Sequence, residues 1–197
     1  MIELIKYLKP IALLIIYIFM LPSCEDVEND TYIFVGDSII ARWPLDETFP
    51  SQLVYNYGKS GAGIFYIAES SNRFNGNDVV VMIGTNDNNY FSSYDIDSYI
   101  ETYLDAIENL TDRRIYLFSV LPREFNNDIA EINEKIENFN KKIKEKVVDY
   151  HHITYIDVFN DFMDGKHINY QYYSDGLHLN IYGYEILTSR LLQVINH

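Results

Sequence analysis

The sequence is poor in cysteine, in basic residues and in long hydrophobic runs, and each shortage excludes a class of protein. A single cysteine among 197 residues rules out an internal disulfide, so stability must come from a packed core. Fifteen Lys and Arg stand against 29 Asp and Glu, a formal net charge of -14. Binding phosphates needs a basic surface, so nucleic acid is set aside as a partner. No His, Cys and carboxylate cluster has metal-ligand spacing, and no metal is indicated. The apolar run from Ile11 to Leu21 falls short of the about 20 residues that a spanning helix requires. Internal repeats, low-complexity tracts and a second domain boundary are also missing.

What is present is the composition of a globular domain: 48% hydrophobic and 22% charged residues in a length that fits one core. Aromatic residues are plentiful, with 18 Tyr and 11 Phe beside one Trp. Many of these rings must pack inside, and any tyrosine left on a loop can stack on a sugar ring.

The first residues read as a targeting segment rather than as part of the fold. Lys6 and Lys9 make a basic start, the apolar run follows, and Leu21-Pro22-Ser23-Cys24 ends it with the lone cysteine. This arrangement resembles a bacterial lipoprotein signal, in which a small residue precedes the cysteine that is lipidated. The alternative is an ordinary cleaved signal, or a membrane anchor with an incidental cysteine. The acidic stretch after Cys24 lacks core periodicity and reads as a solvated tether. The expected division is therefore 1–23 signal peptide, 24–30 lipidated cysteine and tether, and 31–197 folded domain. Its expected place is outside the cytoplasm, held to the membrane by the anchor and facing the periplasm or the exterior.

From there on, short β-rich runs alternate with helical patterns. Strands are predicted over Tyr32–Val35, Leu53–Asn56, Val79–Ile83, Ile115–Val120 and Ile153–Val158, each apolar enough to be buried on both faces. Ile129, Ile132, Ile136, Phe139, Ile143 and Val147 follow helical spacing, as do Ile96, Ile100, Leu104 and Ile107, and a last helix spans roughly Ile181–Val194. Strands alternating with helices predict a three-layer α/β domain with a parallel sheet. In such sheets ligands bind beyond the carboxyl ends of the strands, which directs attention to the segments that follow them.

Gly36-Asp37-Ser38 follows the first strand and places a serine at a strand-to-helix turn, where it could serve chemistry or merely cap the helix. Gly58-Lys59-Ser60-Gly61-Ala62-Gly63 follows the second and permits a tight turn with exposed N–H groups. Gly84-Thr85-Asn86-Asp87 follows the third. Asp175 and His178 stand just before the last helix, and at a spacing of three the carboxylate can reach back to fix the imidazole tautomer. None of the other histidines has a carboxylate in a comparable arrangement. Gly58-Lys59-Ser60-Gly61-Ala62 also approaches the G-x-S-x-G nucleophile elbow, which leaves Ser60 as a rival nucleophile, though the last position is Ala.

Taken in order, Gly-Asp-Ser, the second-loop glycine, Gly-x-Asn-Asp and Asp-x-x-His resemble the four blocks of the SGNH/GDSL hydrolase family, over nearly all of the chain after Tyr32. Leu179 stands where the family often has proline. The resemblance implies a flavodoxin-like order of five parallel strands, Ser38 as nucleophile, and Asp175 and His178 as its partners. It also implies an oxyanion hole made by the N–H groups of Ser38 and Gly61 and the side chain of Asn86, with no cofactor needed. The expected activity is carboxylic-ester hydrolysis through an acyl-enzyme, removing short acyl groups, acetyl above all, from carbohydrate. A lysophospholipase or thioesterase on the same triad is one alternative, and a non-catalytic glycan-binding surface lipoprotein is the other. Asn88–Phe91 and Asn169–Tyr173 are expected to flank the site and to offer aromatic faces to sugars.

Overall fold

The computed structural model describes residues 31–92, 95–126, 128 and 130–195. The expected signal segment, Cys24 and the acidic tether lie outside the described residues. Five strands, β1 (Thr31–Gly36), β2 (Leu53–Gly58), β3 (Asp78–Met82), β4 (Ile115–Phe118) and β5 (Ile153–Ile156), pair in parallel in the order β2-β1-β3-β4-β5. This is the flavodoxin-like order that the sequence implied.

Alternation of side chains explains why the sheet is covered on both sides. Ile33, Val35, Val79, Val81, Ile115 and Leu117 face one hydrophobic cluster. It is completed by α3 (Ile64–Ala68), α4 (Ile96–Glu108) and α5 (Ile132–Lys146). The intervening Tyr32, Phe34, Val80, Met82, Tyr116 and Phe118 face a second cluster. There they meet α1 (Ser38–Ala41), α2 (Leu45–Thr48) and the C-terminal α6 (Ile181–Ile195). Helical spacing places Ile100, Tyr103, Leu104 and Ile107 on the buried stripe of α4, and Ile136, Phe139 and Ile143 on that of α5.

Two expectations need correction. Only the inner strands β1, β3 and β4 are buried along their length; β2 is an edge strand, and Leu53 and Tyr55 are exposed on it. Its apolar residues therefore follow strand propensity without full burial. The α5 helix ends at Lys146, and Val147, expected to continue it, starts a single 3-10 turn, Val147–Asp149; Ile129 lies outside the described residues. A two-residue hairpin, β6 (Met163–Asp164) with β7 (His167–Ile168), was not legible in the sequence.

Register aligns the business ends of the strands. Gly36 pairs with Gly58 on one side and with Met82 on the other, so β1, β2 and β3 finish at one level. The loops that follow them are thereby neighbours, which is where the polar blocks lie.

Candidate active site

Ser38 is the first residue of α1, and Asp37 is its N-cap, accepting a 2.9 Å bond from the Ile39 N–H. The helix is locked from behind by Tyr184 of α6, whose hydroxyl donates to the Ile39 carbonyl at 2.9 Å. The serine side chain is thus held on a rigid turn at the carboxyl edge of the sheet.

The loop ahead of α6 brings the second pair. Ser174 N–H donates to the His178 carbonyl at 2.7 Å, and Tyr173 bridges to Leu179, so residues 174–178 form a closed loop. Asp175 builds this loop from inside: Oδ1 accepts from the N–H groups of Leu177 (3.0 Å) and His178 (2.7 Å). Its other oxygen, Oδ2, lies 2.7 Å from His178 Nδ1. The ring then presents Nε2 to Ser38 Oγ at 3.1 Å, across 140 residues of sequence. One carboxylate therefore shapes the loop and orients the imidazole. Partial burial pushes the Asp175 carboxyl up, but the bonds from His178 and Leu177 outweigh it and hold it below the ordinary carboxylate value.

The other two blocks meet at the same level. Ala62 N–H closes a turn on the Lys59 carbonyl at 3.0 Å, and Gly61 sits inside it at φ +77°, a conformation that a side chain would strain. Asn86 donates from Nδ2 to the Ala62 carbonyl at 2.8 Å, which fixes its amide and leaves one hydrogen of that nitrogen for a further acceptor. Asp87 fastens the same two loops by accepting from Ile64 N–H at 3.0 Å. Ser60 is exposed on the 59–62 turn, while His178 Nε2 is engaged with Ser38.

Three charged residues that the sequence reading left without a role are buried around this assembly. Arg123, in the loop after β4, forms a two-pronged pair with Asp128 at 2.9 and 2.8 Å, and its NH1 donates to the Thr85 carbonyl at 2.8 Å. The next residues reach the acid loop: Glu124 N–H donates to the Gly176 carbonyl at 2.9 Å, and the Phe125 ring stands edge-on to that of His178 at 6.4 Å. A side chain at Gly176 would collide with the Glu124 carbonyl, so this close approach requires glycine. Arg123 thereby ties the Asn86 loop to the His178 loop. Asp37 and Asp87 are the other two. An unpaired-looking acid at the end of a buried strand is the signal that points to such residues; for Arg123 no local signal exists.

The sequence reading also missed a carboxylate partner for another histidine: His167 Nδ1 lies 3.0 Å from Glu124 Oε1, a pairing that 43 positions of separation conceal. Of the aromatic residues expected to flank the site, Phe91 and Tyr173 are buried in the core, and Tyr173 donates to the Pro122 carbonyl at 2.7 Å. Tyr90 and Tyr170 are exposed.

Asp37 gives a prediction with a definite sign. Burial is the main cause that pushes its carboxyl up to about 7, the nearby Asp87 adds to it, and bonds from Ile39 and Thr85 N–H only partly offset it. Below about pH 4 the group is protonated in both folded and unfolded chains, so it has no effect. As pH rises toward 7 the unfolded chain loses this proton first, and the fold loses stability by several kcal/mol before the effect levels off. Asp37→Asn removes the ionisation and keeps an oxygen for Ile39 N–H. The variant should therefore melt above the wild type at pH 8, by a margin that shrinks toward pH 4. A margin independent of pH would contradict the buried acid.

Known proteins resemble this chain in sequence and in fold. The model of the GDSL-like lipase/acylhydrolase family matches residues 34–186. Among solved structures, a candidate platelet activating factor protein from Streptococcus pneumonia is 27% identical, with 86% of each chain covered and a TM-score of 0.66. A candidate acylhydrolase from Bacteroides fragilis is 23% identical, covering 90% of this chain and 91% of its own, at 0.70. An acetylxylan esterase from Geobacillus stearothermophilus is 17% identical, covering 85% and 94%, at 0.58. No curated protein matches the chain.

Proposed function

The chain belongs to the GDSL-like lipase/acylhydrolase family and is an SGNH-type hydrolase, and from that premise we propose that it cleaves carboxylic esters through an acyl-enzyme on Ser38. The observation that carries this reading is the continuous relay from Asp175 Oδ2 through His178 to Ser38 Oγ, at 2.7 and 3.1 Å. Ser38 Oγ attacks the ester carbonyl carbon as His178 Nε2 takes its proton. The carbonyl oxygen becomes an oxyanion, received by the N–H groups of Ser38 and Gly61 and by the Asn86 amide. Each such donor is worth roughly a hundred- to a thousand-fold in rate. Collapse breaks the bond to the alcohol, and the proton on Nε2 passes to the departing oxygen. Water, activated by the same imidazole, then releases the acid and restores the serine.

The preferred acyl group is short, acetyl above all, and the alcohol is a carbohydrate. Support comes from the character of the loops: Gly61 and Asn86 are small or polar and exposed, and at the flanking segments Tyr170 is exposed and Tyr90 is partly so, with one ring face stacked on Tyr99. A long acyl chain would need a continuous apolar lining. An acetylxylan esterase among the fold relatives lends this reading support. In a series of p-nitrophenyl esters kcat/KM should be highest for acetate and fall as the chain lengthens. Preference for chains of roughly eight carbons or more, the trend that about 0.8 kcal/mol per buried CH₂ produces in an apolar groove, would move the assignment to a lipase.

The proposed location is outside the cytoplasm, held to a membrane through lipid on Cys24 and facing the periplasm or the exterior. Radiolabelled palmitate should enter the full chain in a bacterial host, and Cys24→Ser should release it from the membrane fraction. Equal labelling of the variant would refute the anchor.

A further inference from the structure

The relay on Ser38 is directional, and its direction assigns the two halves of an ester. The acyl half must sit by the oxyanion donors, at Gly61 and Asn86. The alcohol half must sit by His178 Nε2, because that nitrogen protonates the departing oxygen. The Phe125 ring stands edge-on to that of His178, with 6.4 Å between their centres. Phe125 also lines a cleft of about 700 Å³, within the size range of small-ligand sites.

The cleft is a built feature. One wall is the loop after β4, continued by Glu134 and Glu137 of α5; the other is the β6-β7 hairpin with Lys166 and His167, followed by Tyr170. Glu124 clamps the walls together. Its Oε1 takes His167 Nδ1 at 3.0 Å and Ile168 N–H at 3.3 Å, and its Oε2 accepts from the Tyr170 hydroxyl at 2.7 Å. The Tyr170 ring is thereby held in place while 59% of the residue stays exposed.

The lining decides the class of occupant. Glu124, Glu134 and Glu137 outnumber Lys166, and the Arg123 guanidinium is already paired with Asp128. An anionic chain would be repelled, and a hydrocarbon chain would reach Phe125, Phe159 and Met163 only by also stripping water from the Glu134 and Glu137 carboxylates. Neutral hydroxyls can donate to the carboxylates, and sugar ring faces can rest on Tyr170 and Phe125. We infer that this cleft is the alcohol subsite and that it takes a neutral glycan chain. The inference rests on the esterase reading of Ser38 and deepens it.

The test is titration calorimetry of the protein with cellotetraose and with tetragalacturonate, neither of which carries an ester to be cleaved. Cellotetraose should bind saturably, and tetragalacturonate at least tenfold more weakly. Tyr170→Ala should weaken cellotetraose about tenfold, one aromatic contact's worth, while Tyr170→Phe, which keeps the ring and loses only the bond to Glu124, should stay within about threefold. Glu137→Lys, on an exposed helix position, should tighten tetragalacturonate severalfold, a gain that a misfolded variant could not give. Absence of cellotetraose binding, equal binding of the two sugars, or an unaltered Tyr170→Ala would each overturn the subsite. Hydrolysis of p-nitrophenyl acetate by the same preparation separates the two failures: if it persists, the ester chemistry on Ser38 stands without this cleft, and if it is missing, that chemistry fails too.

Discussion

Ser38→Ala should lose about a million-fold in kcat toward p-nitrophenyl acetate, while Ser60→Ala should keep most of its activity. The two serines follow adjacent strands, Ser38 opening one short helix and Ser60 lying just ahead of another, so sequence alone leaves them in competition. The structure separates them by their partners. Ser38 Oγ is 3.1 Å from a histidine that a carboxylate has already oriented, whereas Ser60 is exposed on a turn. Ser38→Ala removes only a hydroxyl from a helix start whose cap is the Asp37 side chain, so folding should be preserved. A fluorophosphonate probe, which needs an activated serine rather than a particular substrate, should label the wild type and Ser60→Ala and leave Ser38→Ala blank. An inactive Ser60→Ala beside an active Ser38→Ala would reverse the assignment.

The legible part of this protein is the part in which each residue's role follows from its near neighbours in sequence. The inner strands could be read because both of their faces are covered, as Val79, Val80 and Val81 illustrate: consecutive residues divided between the two clusters. The edge strand β2 carries the same kind of residues as the inner strands, and composition cannot tell which strand lies at the rim. Asp175 and His178 were legible because a single loop holds both. Gly61 and Asn86 enter only through the ordered resemblance, since a tight turn and a polar turn have many uses. Arg123 was hidden. Its partners are Asp128 nearby and Thr85 a long way back, and the contact of Glu124 and Phe125 with the His178 loop exists only once β4 lies beside β3. The clamp at Glu124 was hidden for the same reason, because its three donors come from Tyr170 and a hairpin too short to leave a pattern.

Asp175→Asn should lower kcat on the order of 10⁴-fold with little change in folding. The argument turns on which way the amide must face. Two backbone donors, Leu177 N–H and His178 N–H, point at Oδ1 at 3.0 and 2.7 Å. An asparagine here therefore keeps its oxygen at that position, and its NH₂ group takes the place of Oδ2, against His178 Nδ1. An amide can only donate to that nitrogen, so Nδ1 becomes the acceptor and the ring proton moves to Nε2. Nε2 then faces Ser38 as a donor, unable to take the proton that attack requires. The loop keeps both backbone bonds, so the melting temperature should barely move while turnover collapses. Asp175→Ala should behave differently: it abandons the loop bonds as well, and stability should fall along with activity. A variant Asp175→Asn that stays within tenfold of the wild type would mean that something other than this carboxylate fixes the His178 tautomer.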